Sequence, residues 1–176
     1  LVGDGCVSGL VRGVQQDALC DLGKRRKANG GRLPATWESD VEDAVKDGTY
    51  QSAVVMYGAN DDQAIKVGQD LVKVGSEAWR QAYGERVEKV IKKLRAANLA
   101  IYWVGLPIMR SPTQSTDAEA MNEVYREKAF INGAKYVDTW NGFMDEGGRF
   151  SAYGPDMTGQ VKRLRADDGV LFTMRG

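Results

Sequence analysis

Three short pieces of the sequence carry side chains that can do chemistry: Gly3-Asp4-Gly5, Gly58-Ala-Asn60-Asp61 with Asp62 behind it, and Asp168-Gly-Val-Leu171-Phe-Thr173. Their oxygen atoms suit a hard cation, and Asp4, Asn60, Asp61 and Asp168 together make one candidate set for calcium or magnesium. The same residue types more commonly cap helices and form turns, so the expectation is that no metal and no cofactor is held. Cys6 adds a thiol beside Gly5. The sequence contains no histidine, so no imidazole is at hand to activate that thiol or any hydroxyl.

These pieces meet only if the elements before them belong to one sheet. Ser52 to Met56 (SAVVM) is apolar and rich in β-branched residues, without a helical stripe, which predicts a central strand buried on both faces of a parallel sheet. Gly58, Asn60, Asp61 and Asp62 then leave the sheet at its C-terminal edge, where open α/β sheets bind ligands. Leu99 to Pro107 and Lys135 to Thr139 read as two further strands. Leu1-Val2-Gly3 reads as the end of a strand already under way.

Between the strands the apolar spacing turns helical. Leu10, Val14, Ala18 and Leu22 predict a helix over Val7 to Leu22 despite Gly9 and Gly13, and Ser39 to Val45 predicts a short acidic one. Trp79, Tyr83, Val87, Val90, Ile91 and Leu94 mark the clearest helix, with Ser76 as its N-cap and a loop or lid from Gly68 to Gly75 ahead of it. Ala118 to Ile131 is another, closed by Asn132-Gly133. Strands alternating with helices predict a three-layer α/β/α sandwich with a parallel, doubly wound sheet, joined by right-handed crossovers, in a single domain spanning 1–176. Phe143 to Asp167, rich in Gly, Pro and charge, reads as an excursion over the ligand-binding edge. Trp79, Tyr83 and Trp103 are expected in the core, whereas Trp140 and Tyr153 are candidates to line a sugar-binding cleft.

Charge and length exclude some partners. Lys plus Arg equals Asp plus Glu, 24 each, which offers no bulk field for nucleic acid or an anionic membrane. The basic cluster Lys24 to Lys27 is too short to change that and reads as a solvated loop. No run of apolar residues is long enough for a transmembrane segment. Across the predicted first helix Cys6 and Cys20 would lie about 20 Å apart, too far for a disulfide, so both are expected as free thiols.

The order and spacing of the three pieces resemble the SGNH, or GDSL-type, hydrolase superfamily. Gly58 to Asp61 matches its GxND motif, and Gly105-Leu-Pro107 and Val137-Asp-Thr-Trp140 fit the same frame. The chain is similar to an uncharacterised periplasmic branch carrying GLP, VDTW and DGxHFT segments. The resemblance implies a flavodoxin-like SGNH fold and an esterase or acyl hydrolase acting on a small-molecule ester or acylated cell-envelope glycan, in the periplasm or cell envelope. It implies Asp168 as the acid that orients a histidine, and an oxyanion hole from the Gly5 backbone N–H, Gly30 or Gly31, and the Asn60 side chain.

At two positions the chain departs from the pattern: Gly5 stands at the serine position and Leu171 at the histidine position. Losing the nucleophile or base of such a triad costs on the order of 10⁶ in turnover. The resemblance therefore leaves two expectations, an acyl-hydrolase lineage with an incomplete triad, and a non-catalytic pseudoenzyme that binds an acyl or glycan ligand in the retained cleft. Without its histidine, Asp168 is expected beside an arginine, a water or a backbone N–H, with Arg165 and Arg110 as candidates. The family usually continues into a closing helix where this chain stops at Gly176, so both termini are expected to be trimmed.

Overall fold

The strand expected at the centre forms with the same bounds, Ser52–Met56, in a computed structural model that describes residues 2–3, 10–11, 41–42, 45–46, 50–59, 61–173 and 175–176. Asp4, Gly5, Cys6, Cys20, Lys24 to Lys27, Gly30, Gly31 and Asn60 lie outside the described residues.

In chain order the strands are β1 (Val2–Gly3), β2 (Leu10–Val11), β3 (Ser52–Met56), β4 (Ile65–Val67), β5 (Asp70–Val72), β6 (Ala100–Val104), β7 (Lys135–Val137), β8 (Tyr153–Pro155) and β9 (Val161–Arg163). The two long helices are α1 (Glu77–Ala96) and α2 (Pro112–Asn132). The main sheet has the order β1-β3-β6-β7, all parallel, with Ser52 opposite Ala100 and Tyr102 opposite Lys135. The fold is therefore the α/β one expected, of the three-layer α/β/α type.

Both long crossovers step the same way across the sheet, so right-handed connections put α1 and α2 on one face. Ala53, Val55, Ile101 and Trp103 are buried there with Trp79, Tyr83, Val87, Val90, Ile91 and Leu94 of α1 and Met121, Val124 and Tyr125 of α2. The alternate residues Val54 and Met56 are half-buried and Tyr102 is exposed, so β3, expected to be buried on both faces, is fully buried on one. Core packing of the aromatics is as expected: the Trp79 and Tyr83 rings stack at 4.5 Å, and Trp103 meets Tyr125 at 5.1 Å.

Three local expectations are corrected. Leu10–Val11, placed in a helix over Val7 to Leu22, pairs antiparallel with β3, Leu10 opposite Ala53 and Val11 opposite Ser52. Gly9 and Gly13 each weaken a helix by about 1 kcal/mol, and an apolar pair with a β-branched residue fits the part of the β3 edge that β1 leaves open. The loop from Gly68 is a hairpin, β4 against β5, turning at Gly68 with φ +62°. Helix α2 begins at Pro112, six residues before Ala118, because Ser111 caps it and accepts from the Gln114 N–H while Pro112 needs no partner at the first turn. The other signals hold: Ser76 accepts from the Trp79 N–H, and Gly133 closes α2 with φ +71°.

Candidate functional site

The turns after β3 and β6 and the segment from Asp168 come together at the C-terminal edge of the sheet. Gly58, Ala59 and Asp62 from the first, Leu106 and Met109 from the second, Gln114, Ala118 and Met121 from α2, and Val170 from the third line a narrow open cleft, with about 10 Å³ of free volume, roughly one water's worth. Its walls are apolar except for Asp62 and Gln114, whose amide donates to the Asp62 carboxylate at 3.5 Å.

Each wall is fixed by hydrogen bonds that the local sequence supplies. After β6, Gly105 N–H donates to Val137 O, and the buried Asn122 side chain clamps Leu106 from α2, accepting its N–H at 2.7 Å and donating to its carbonyl at 2.8 Å. Ser115 does the same for Met109, at 3.0 Å in both directions. Gly58 turns the chain at φ +108°, and a Cβ there would collide with the Tyr125 hydroxyl and lie 3.1 Å from both Leu106 and Met121. Gly58→Ala is accordingly expected to lower unfolding free energy by about 2–4 kcal/mol, measured by urea denaturation; an unchanged midpoint would show that the turn relaxes freely.

Behind the cleft floor, Tyr83 donates to Asp61 at 2.9 Å, the Tyr83 and Tyr125 hydroxyls are 2.7 Å apart, and Tyr125 donates to Tyr57 O at 3.0 Å. Burial, first, and the neighbouring Asp61 charge raise both phenols well above their ordinary range. The sign follows: an unfolded tyrosine ionises near pH 10 while these stay neutral, so their contribution is complete below pH 10 and is lost as pH rises beyond it. Stability is expected to fall above about pH 10 by about 1.4 kcal/mol per pH unit per phenol, and Tyr125→Phe to reduce the slope. Arg165 works oppositely, because burial lowers its guanidinium to about 10 and the folded state releases its proton first. Urea midpoints across this range are the check; a flat profile would refute the assignment.

The third piece is held by Arg165. Its guanidinium is fully buried, donates to Ile108 O at 2.7 Å and to Gly169 O and Val170 O at 3.0 Å, and lies 5.2 to 5.4 Å from the ring centres of Phe143, Phe150 and Phe172. One side chain thus ties the segment after Asp168 to the loop after β6. Sequence reading offered Arg165 only as a partner for Asp168; its part as the tie was missed, since the three phenylalanines share no regular spacing with it.

Asp168 is exposed, not buried. Its Oδ1 accepts from the N–H groups of Val170 at 2.8 Å and Leu171 at 2.9 Å, so of the three partners expected it has the backbone N–H. Partial burial pushes its carboxyl up, but these two donors with the Arg165 and Arg110 charges outweigh that and hold it below the usual range. It is therefore ionised at neutral pH, with Oδ2 making no hydrogen bond among the described residues. Leu171, at the histidine position, has its side chain 37% exposed. Asp61, offered as a cation ligand, is turned to Tyr83, and among the described residues no group of three or more His, Cys, Asp or Glu is placed to hold a metal ion. Trp140 packs partly against the core and Tyr153 is exposed; neither lines the cleft. No described helix is long and apolar enough to cross a membrane.

A family model described as protein of unknown function (DUF459) matches residues 1–176. No curated protein matches the chain. Among solved structures, the crystal structure of phospholipase A1 from Streptomyces albidoflavus is similar with a TM-score of 0.54, at 15% identity, covering 97% of this chain and 90% of that one. At that identity the likeness is one of fold.

Proposed function

We propose, from the premise that the chain belongs to the family described as protein of unknown function (DUF459), that it is an SGNH-hydrolase-like protein of an esterase or acyl-hydrolase lineage whose cleft receives the acyl group of an ester. The observation that carries this reading is the position and lining of the cleft: it opens at the ligand-binding edge of a parallel sheet, with Leu106, Met109, Ala118, Met121 and Val170 as apolar walls and polar Asp62 and Gln114 among its lining. An acyl chain suits the walls and a hydroxylated glycan suits the polar lining. The resemblance of the motifs to a periplasmic branch implies the rest of the reading, an acylated cell-envelope glycan as the ligand class and the periplasm or envelope as the compartment. The fold likeness to a phospholipase A1 supports the lineage, since that enzyme's name is of an acyl-ester hydrolase.

A second reading has its own observation. With no histidine in the sequence and Leu171 half out in solvent, the chain as it stands holds the ligand without turning it over, as a pseudoenzyme would. Hydrolysis of a short-chain p-nitrophenyl ester by the unaltered chain and by a Gly5→Ser, Leu171→His double variant tests both. Turnover in the double variant alone supports the lineage with a dead or binding form. Turnover in neither removes the hydrolase reading, and turnover in the unaltered chain removes the assignments of Gly5 and Leu171.

A further inference from the structure

A second cleft, of about 190 Å³, is lined by Asp61, Gln63, Ala64, Ile65, Lys66, Tyr83 and Arg86. Arg86 stands on α1 one turn beyond Tyr83, and its Nη1 is buried with no hydrogen-bond partner among the described residues. A guanidinium N–H shut away from water without an acceptor costs about 1–3 kcal/mol, and buried polar groups in native proteins almost always have one. The cleft does not supply that acceptor itself. Asp61 shares the wall, but its Oδ2 accepts from Tyr83, and Arg86 forms no ion pair among the described residues. Lys66, from the first strand of the hairpin, adds a second cation, and Gln63 an amide donor. Two cations against one carboxylate leave the cleft with one net positive charge.

We propose that this cleft is a binding site for a small oxyanion, a phosphate or carboxylate group, held by Arg86 with Lys66 and Gln63. The arginine fork presents paired donors to two oxygens of one group, the arrangement guanidinium makes with such anions, while Lys66 acts as a point charge at the rim. Water in the cleft would leave the net charge unmatched, whereas a monoanion beside the Arg86 and Lys66 side chains balances it. Asp61 faces this cleft and Asp62 the first, so the anion sits beside the acyl cleft without occupying it.

Isothermal titration of the full chain with inorganic phosphate, glycerol 3-phosphate and acetate, at low and high salt, is the test. At least one is expected to bind at a single site, more weakly at high salt, and at least about tenfold more weakly to Arg86→Gln. Arg86→Lys should fall between, keeping the charge without the fork. Lys66→Gln, at an exposed position, should also weaken binding and serves if Arg86→Gln does not fold, which circular dichroism reports. Equal or tighter binding of glycerol 3-phosphate than of phosphate identifies a headgroup-like phosphomonoester; phosphate alone identifies the free anion; acetate identifies a carboxylate. Binding of none of the three, or equal binding by the unaltered chain and the variants, overturns the proposal. Because the readout is binding, its outcome is separate from the ester-turnover result.

Discussion

Introducing Gly5→Ser together with Leu171→His is expected to raise turnover of a short-chain p-nitrophenyl ester by about 10³-fold or more, while either change alone leaves it at its starting level. The asymmetry comes from the chemistry. A serine hydroxyl without a base stays protonated and a poor nucleophile, and an imidazole without a nucleophile has nothing to activate. The geometry around position 171 favours the pair. Asp168 is ionised, its Oδ1 is occupied by two backbone N–H groups and its Oδ2 makes no hydrogen bond among the described residues, so an imidazole three residues on has an acceptor for its N–H. That contact fixes the tautomer a base needs. Adding Asp168→Asn to the double variant should remove most of the gain, with stopped-time product absorbance as the measurement. Equal gains from the single variants would refute cooperation between the two positions.

Arg165→Met is expected to be the most destabilising single change in the tail, by about 3–5 kcal/mol in urea unfolding. Methionine fills much of the same volume among the three phenylalanines, yet it donates nothing to the carbonyls of Ile108, Gly169 and Val170. Each is then left to find another donor inside the protein or lose about 1–3 kcal/mol. Arg165→Lys keeps a charge but not three directed donors, and is expected to recover only part of the loss. In the double variant that turns over ester, Arg165→Lys should lower activity further than its stability alone requires, because the Asp168 segment loses its tie to the loop after β6. A loss below about 1 kcal/mol for Arg165→Met would mean that water replaces the guanidinium.

Much of the frame was legible because local pattern and tertiary demand agreed. SAVVM formed its strand with unchanged bounds, and every apolar position singled out from Trp79 to Leu94 is buried. What escaped was weaker in local signal or tertiary in origin. The β4–β5 hairpin has three-residue strands turning through Gly68-Gln69, a pair that does not announce a hairpin as Asn-Gly does. The early start of α2 was there to read in Ser111-Pro112, but its first turn is polar and carries no apolar stripe. At the site, the turn after β3 and the segment from Asp168 were placed at one edge from their motifs, while Asp4 and Gly5 of the first piece lie outside the described residues. Arg165 lay hidden in a segment whose charges suggested solvent, and the hydroxyl of Tyr83 was passed over in a reading that placed its ring in the core. A sequence states residue types; it does not state which buried polar atoms will need one another.

The cleft walls stand on connecting segments, at Gly58, Ala59, Asp62, Leu106, Met109 and Val170, and on Gln114, Ala118 and Met121 of α2, while none of the lining residues belongs to a described strand. Leu171 belongs to such a segment too. Changes there alter what the cleft accepts without disturbing the register of Ser52 against Ala100. A lineage built this way can shed its chemistry and keep its architecture, so divergence of ligand and persistence of fold are two outcomes of one division of labour between loops and sheet.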